Sequence, residues 1–149
     1  MFIFLFIFLL QGCDYPQRNG IFILEGDSEH WNATVTLNLE EYTLQPDHFK
    51  TRYSKNIVVS PKNEMLLDYI SYNTSFNLNF GNSGHTLTPD ENNKLNRNEY
   101  GTNQSSGGYS IYSAEEVRER LEFAKIEIEW IENGEKYKEE IIAKVKKAE

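Results

Sequence analysis

The stretch IEIEWIENGEKYKEEIIAKV, residues 126–145, decides the fold class of this chain. On both sides of Asn133-Gly134, apolar and charged residues alternate, which is the pattern of a strand with one face on a core and the other in water. Asn-Gly is the preferred pair for a two-residue type I′ turn, because both central residues adopt positive φ there. The stretch therefore predicts an antiparallel β-hairpin with Trp130 on its inward side.

Further segments toward the N-terminus also have the pattern of strands. Residues 31–39 alternate cleanly, with Trp31 first and an apolar residue at every second position. Three other segments are predicted to be strands. Residues 20–24 are an apolar run that we expect to be buried on both faces, and residues 56–60 are a short strand closed by Pro61. Residues 66–80 end in a second alternation, at 75–80. The spacing of these segments is typical of an all-β domain.

One short helix is predicted ahead of the C-terminal hairpin. Ser113-Ala114-Glu115-Glu116 fits a capping box, in which the serine and the second glutamate satisfy free backbone N–H groups. Val117 and Leu121 then lie one turn apart on the same face. We expect a helix over residues 114–122.

A length of 149 residues supports one domain. Several short strands with turn signals between them predict an all-β fold, a single antiparallel immunoglobulin-like β-sandwich with one short helix, over residues 20–149. Residues 81–110 are rich in Asn, Gly and Ser and have almost no apolar periodicity. They are expected to form a long polar loop, which is either a mobile surface excursion or a functional loop.

The first residues have the character of a targeting segment. From Phe2 to Leu10 every residue is apolar. As a helix this run is roughly 14 Å long, less than half of a bilayer core of about 30 Å, which is the length of the h-region of a signal peptide. A buried core strand is the alternative, but nine bulky residues without a polar break are unusual in a strand. We expect residues 1–12 to be a signal peptide.

The residues that follow indicate which kind of signal this is. Leu10-Gln11-Gly12-Cys13 resembles the lipobox of bacterial lipoproteins, and Cys13 is the only cysteine in the chain. A thiolate is the nucleophile that takes up a diacylglyceryl group as a thioether. Two acyl chains supply the two hydrophobic signals that stable membrane anchoring requires. We therefore expect lipidation at Cys13 and a tether over residues 13–19.

Two alternatives stay open at this end of the chain. A signal peptide usually begins with positive charge, and residues 1–12 contain no Lys or Arg. Either the true start lies upstream of Met1, which we favour, or the signal is atypical. Without lipid, Cys13 would be a free thiol or would pair with another molecule, since no second cysteine is present.

A family resemblance is carried by the two ends of the domain. Gly26-Asp27-Ser28-Glu29-His30-Trp31 before an alternating strand, together with the closing Ile-Glu-Trp-Ile-Glu-Asn-Gly-Glu hairpin, resembles small lipoproteins of Bacillus and related Firmicutes. With the lipobox, the resemblance covers about half of the chain. It implies the lipid anchor and the sandwich, and it implies no activity or substrate.

No spacing in the chain predicts a catalytic, cofactor-binding or metal site. The histidines are far apart and are expected to be surface residues; they are His30, His48 and His85. Residues 90–101 begin like a calcium loop but depart from it at the fifth, sixth and twelfth positions, so an acidic turn is expected. An acidic patch beside Trp31 is either a solvated strand edge, which we favour, or a weak cation site; it consists of Glu25, Asp27 and Glu29.

Charge and the predicted anchor limit the function. A net charge of −8 argues against a nucleic-acid partner and against electrostatic attachment to an anionic bilayer. We expect a lipoprotein on the extracytoplasmic face of the bacterial cell membrane, a non-catalytic binding module for a cell-wall or protein ligand, without a cofactor. The alternative is a hydrolase or metal-dependent enzyme whose site is assembled from loops, for example by His85, Asp90 and Glu91.

Overall fold

The structure is a computed structural model, and it describes residues 19–45, 48–90, 93–101 and 106–149. The predicted signal peptide, Cys13 and most of the predicted tether lie outside these residues. The described chain contains the following strands and helix in order: β1 (Asn19–Asp27), β2 (Trp31–Gln45), β3 (His48–Pro61), β4 (Leu67–Phe76), β5 (Ser83–Leu87), β6 (Tyr100–Gly101), β7 (Ser106–Ser110), α1 (Ala114–Arg120), β8 (Phe123–Glu132) and β9 (Glu135–Ala148).

All nine strands of the described chain belong to one antiparallel sheet. Their order is β5-β4-β8-β9-β1-β2-β3-β6, and β7 pairs with β3 on the same edge as β6. The sheet curls on itself: Trp31 on β2 contacts Trp130 on β8, although β9 and β1 lie between these strands in the sheet order. The predicted antiparallel all-β fold with one short helix is confirmed, and its facing layers are two halves of one continuous sheet.

The core lies on the concave face of this sheet. The predicted alternation in β2 is confirmed, since its buried apolar residues are Trp31, Ala33, Val35, Leu37 and Leu39. The predicted hairpin is also confirmed: β8 pairs with β9 up to Glu132 and Glu135, and Asn133 and Gly134 have φ values of 52° and 80°. Positive φ at both turn positions is the geometry that the Asn-Gly pair favours.

Two predicted strands differ from the structure. β1 is buried on one face only, with Phe22 and Leu24 in the core and Ile21 42% exposed, because the other face of a single curled sheet meets solvent. β4 ends at Phe76, so the predicted alternation at 75–80 was wrong as a strand. The Asn77 side chain instead bonds the backbone of residues 120, 122 and 123, and the chain turns there.

The predicted polar loop at 81–110 is only partly a loop. It contains β5, β6 and β7, which pair with the outer strands β4 and β3. Tyr100 within it is fully buried. Short edge strands need little apolar sequence, because half of their backbone and one face remain in solvent. This is why the segment has almost no apolar periodicity and yet belongs to the sheet.

The helix α1 lies beside the start of β1. Its capping box at Ser113 and Glu116 is confirmed. Glu41 of β2 accepts a hydrogen bond from the Ala114 backbone N–H at 3.0 Å, and the neighbouring Glu40 pairs with Asn19, the first residue of β1. Among the described residues, no helix is long and apolar enough to cross a membrane.

Candidate functional site at the turn between β1 and β2

The turn from β1 to β2 carries three polar residues, Ser28, Glu29 and His30. The Ser28 backbone N–H donates to the Trp31 carbonyl at 2.8 Å and closes the turn. Lys62, which follows β3, donates its backbone N–H to the His30 carbonyl at 2.8 Å, and its Nζ lies 2.6 Å from Asp27 Oδ2. The turn is therefore held by backbone bonds from both sides.

Glu139 of β9 faces this turn. It lies on the same side of β9 as the buried residues Ile141 and Ala143, and its side chain is only 16% exposed. Its Oε2 accepts hydrogen bonds from Ser28 Oγ and, at 3.2 Å, from the His30 backbone N–H. Its Oε1 is paired with His30 Nδ1. A carboxylate on an inward face needs such partners, because burying a charge without them is costly.

The contact between His30 and Glu139 shifts the pKa values of both side chains. The hydrogen bond to Glu139 raises the pKa of His30 above 6.5; burial opposes this increase, and the charges of Glu139, Glu29 and Glu132 add to it. Burial of Glu139 favours its neutral form, but the hydrogen bonds from Ser28 and His30 outweigh it, so the pKa of Glu139 lies below 4.5. The pair therefore favours an imidazolium beside a carboxylate.

Aromatic rings line the inner side of this site. The His30 ring lies 5.7 Å from the Trp130 ring, and Trp130 stacks on Tyr137 at 5.3 Å. Trp130 is buried, whereas Tyr137 is 39% exposed and the His30 side chain is 42% exposed. The site thus combines a buried aromatic wall with a solvent-facing imidazole.

We call Ser28, Glu29, His30 and Glu139 the Glu139 cluster. One potential ligand atom from each of Glu29, His30 and Glu139 lies within 4.8 Å of the others. The carboxylate fixes the orientation of the imidazole through Nδ1, as carboxylates do for catalytic and metal-binding histidines. The Ser28 hydroxyl donates a hydrogen bond to the Glu139 carboxylate. A hydrogen bond to a carboxylate, without a base on the hydroxyl, does not activate a serine as a nucleophile.

The residues singled out in the sequence are distributed as follows. Asp27 pairs with Lys62, whereas Glu29 joins the Glu139 cluster, so the predicted acidic patch is divided between two sets of contacts. His85 lies on β5 with its ring 5.8 Å from Tyr72, and Asp90 is exposed. Cys13, Glu91 and the His48 side chain lie outside the described part of the structure. His30 lies at the surface, as expected, with its side chain 42% exposed, and it is paired with Glu139, to which no spacing in the sequence connects it.

Glu139 was missed by sequence reasoning as a site residue. The signal was present in the alternation of β9, where Glu139 occupies an inward position between Tyr137 and Ile141. An acidic residue on an otherwise apolar face contradicts the binary pattern and marks a position with a specific partner.

Another ionisable group, the buried Lys55, lies in a different part of the core. Its Nζ donates to the carbonyl oxygens of Phe80 and Gly81, each at 3.0 Å. Burial lowers the pKa of Lys55 below 10.5. Both partners are backbone carbonyls of the segment after β4, so Lys55 holds that segment to the sheet.

Comparison with known proteins yields no match among protein-family models, curated proteins or solved structures.

Proposed function

We propose that this chain is a lipid-anchored, extracytoplasmic binding module of the bacterial cell surface, attached through a diacylglyceryl group on Cys13. The observation that carries the proposal is the apolar run from Phe2 to Leu10, followed directly by Gln11-Gly12-Cys13. The resemblance to small Firmicute lipoproteins points the same way. The ligand class we propose is a cell-wall component or another protein, and not a nucleic acid, since the net charge is −8.

The geometry of β1 supports outward presentation of the Glu139 cluster. β1 begins at Asn19 and its nine residues end directly before Ser28. At about 3.3 Å per residue, the strand separates the start of the domain from the cluster by roughly 26 Å. Five residues, 14–18, connect Cys13 with Asn19 and reach at most about 20 Å. An anchor at Cys13 would therefore keep the start of β1 within about 20 Å of the bilayer, and the cluster lies at the opposite end of this strand.

A binding role is favoured over hydrolysis by the hydrogen-bond directions in the cluster. A serine hydrolase needs the serine hydroxyl on a ring nitrogen of the base. Here the Ser28 hydroxyl donates to the carboxylate that also orients His30. The arrangement rigidifies the turn and leaves an imidazole and Tyr137 available to a ligand.

Lipidation is tested in a Firmicute host with a fatty-acid probe. The parent should be labelled and should partition with membranes. Cys13→Ala should lose the label and remain as the uncleaved precursor, whereas Ser28→Ala, a matched single substitution in the folded domain, should be labelled like the parent. Labelling that persists in Cys13→Ala would overturn the proposed anchor.

The orientation of the domain relative to the membrane is tested separately, by tryptophan fluorescence of the protein anchored in vesicles that contain brominated lipids. Both tryptophans of the chain lie at the cluster end, at Trp31 and Trp130. If that end is held away from the bilayer, brominated lipids should not quench the anchored protein. Strong quenching with intact labelling would preserve the anchor and refute the outward presentation.

A further inference from the structure

We propose that Glu29, His30 and Glu139 form a binding site for a divalent transition-metal ion, with Zn²⁺ as the best match. This inference rests on the geometry of the Glu139 cluster and does not depend on the lipid anchor. Each residue offers one potential ligand atom, and these atoms all lie within 4.8 Å of one another. Two ligand atoms of a tetrahedral zinc ion lie about 3.3 Å apart, given bond lengths of about 2.0–2.2 Å. Glu29 is exposed, so its side chain is free to turn toward the other two ligands.

The hydrogen bonds of Glu139 leave one oxygen for the ion. Oε2 accepts from Ser28 Oγ and from the His30 backbone N–H, whereas among the residues that the structure describes Oε1 is paired only with the His30 ring. Outer-sphere hydrogen bonds of this kind orient a ligating carboxylate and are a regular part of metal sites. Oε1 and the imidazole are thus already directed at each other, and the ion would replace the proton that joins them. That proton leaves to solvent, as in any metal site built from protonated ligands.

The ligand types favour a transition metal over Mg²⁺ or Ca²⁺. One imidazole and two carboxylates suit Zn²⁺, Ni²⁺ or Cu²⁺, whereas the hard cations prefer oxygen ligands only. Three protein ligands leave a fourth tetrahedral position for water or for a group of a bound partner. The negative charges of Glu29, Glu132 and Glu139 act on His30, so the local field favours a cation.

The lysine that contacts the turn does not compete for the site. Lys62 Nζ pairs with Asp27, on the β1 side of the turn. Asp27 therefore supplies a control acid: it is two residues from Glu29 in sequence, it is exposed, and it does not belong to the cluster. His85 supplies the control histidine, because it lies on β5 against Tyr72.

The test uses the full chain in detergent, with thermal unfolding measured in Zn²⁺ and in a chelator. At a zinc concentration about 100 times the Kd, we expect the Tm of the parent to rise by several degrees. The rise should be lost in Glu29→Gln and in His30→Gln. It should persist in Asp27→Asn, in His85→Gln and in Cys13→Ser, the last of which removes the only thiol.

A second readout locates the ion. Ni²⁺ and Cu²⁺ quench nearby tryptophans, and the Trp130 ring is 5.7 Å from His30. Saturable quenching in the parent that disappears in His30→Gln but not in His85→Gln supports the proposal. Absence of saturable zinc binding in the parent overturns it, and so does binding that is equal in Glu29→Gln, His30→Gln and the parent. Equal stabilisation by Mg²⁺ would refute the assignment to a transition metal.

Discussion

Trp31 packs edge-on against Trp130, with the ring centroids 5.5 Å apart and the ring planes at 69°. The two residues lie on β2 and β8, and the sheet must curl through β9 and β1 to bring them together. Their side chains are 0% and 2% exposed, which confirms the prediction that both are buried. Edge-to-face pairs of this kind contribute beyond the apolar area that they bury.

We predict that Trp31→Ala and Trp130→Ala each lower the free energy of unfolding by about 3–5 kcal/mol, the usual range for removing a buried tryptophan. Because the rings touch, the double variant should lose at least about 0.5 kcal/mol less than the sum of the single losses. Urea denaturation measures all three. Neither indole N–H donates to a protein acceptor within the described residues, so Trp130→Phe should lose much less than Trp130→Ala. Strict additivity of the two alanine variants would contradict the contact.

The pairing of His30 with Glu139 predicts a defined pH window of stabilisation. The pKa of His30 is raised above 6.5, so its contribution is complete below that pH and is lost as the pH rises through the folded value. The pKa of Glu139 is lowered below 4.5, so its contribution is present above that pH and is lost as the pH falls. Stabilisation by the pair should therefore be greatest between these two values.

The measurement is the difference in free energy of unfolding between the parent and Glu139→Gln, in chelator, from pH 4 to pH 9. The difference should be largest near pH 5–6 and smaller at both extremes. Glu140→Gln is the matched control, because Glu140 is the exposed neighbour of Glu139 on the other face of β9. A difference that does not change with pH would mean that the pair does not carry charge in the folded protein.

Two substitutions of Lys55 should differ in how much they lower the free energy of unfolding. Lys55→Ala removes the buried stem and leaves the Phe80 and Gly81 carbonyls without their donor, so we expect a loss of about 2–4 kcal/mol. Lys55→Met fills most of the same volume and removes a buried charge, and it should lose about 1–2 kcal/mol less than Lys55→Ala. Equal losses, measured by urea denaturation, would show that packing of the stem contributes nothing.

The segment 81–110 provides a matched pair of tyrosines. Tyr100 is fully buried with its ring 6.0 Å from Trp31, whereas Tyr109 is 64% exposed. Tyr100→Ala should cost about 3 kcal/mol, and Tyr109→Ala should lie within about 0.5 kcal/mol of the parent. If both substitutions were tolerated, the segment would be a solvated excursion, as its composition suggested.

The elements that could be predicted from sequence are those governed by neighbours along the chain. The alternation of β2 and β8, the Asn133-Gly134 turn and the Ser113 capping box follow from a period of two, from positive φ and from local backbone bonds. The apolar run before Cys13 belongs to the same kind of local pattern, and its meaning stays a prediction. These features depend on spacings of a few residues, so the sequence by itself determined them.

The curl of the sheet, the pairing of the edge strands and the Glu139 cluster depend on tertiary structure. His30 and Glu139 are 109 positions apart, and no local spacing connects them. They meet because β9 pairs with β1 and the β1–β2 turn folds over the inward face of β9. In the same way, β5 and β6 are too short and too polar to have a pattern of their own, and they are strands because β4 and β3 offer them open edges. Hydrogen-bonding partners that are distant in sequence are chosen by the packing of the whole chain, and only the folded structure decides them.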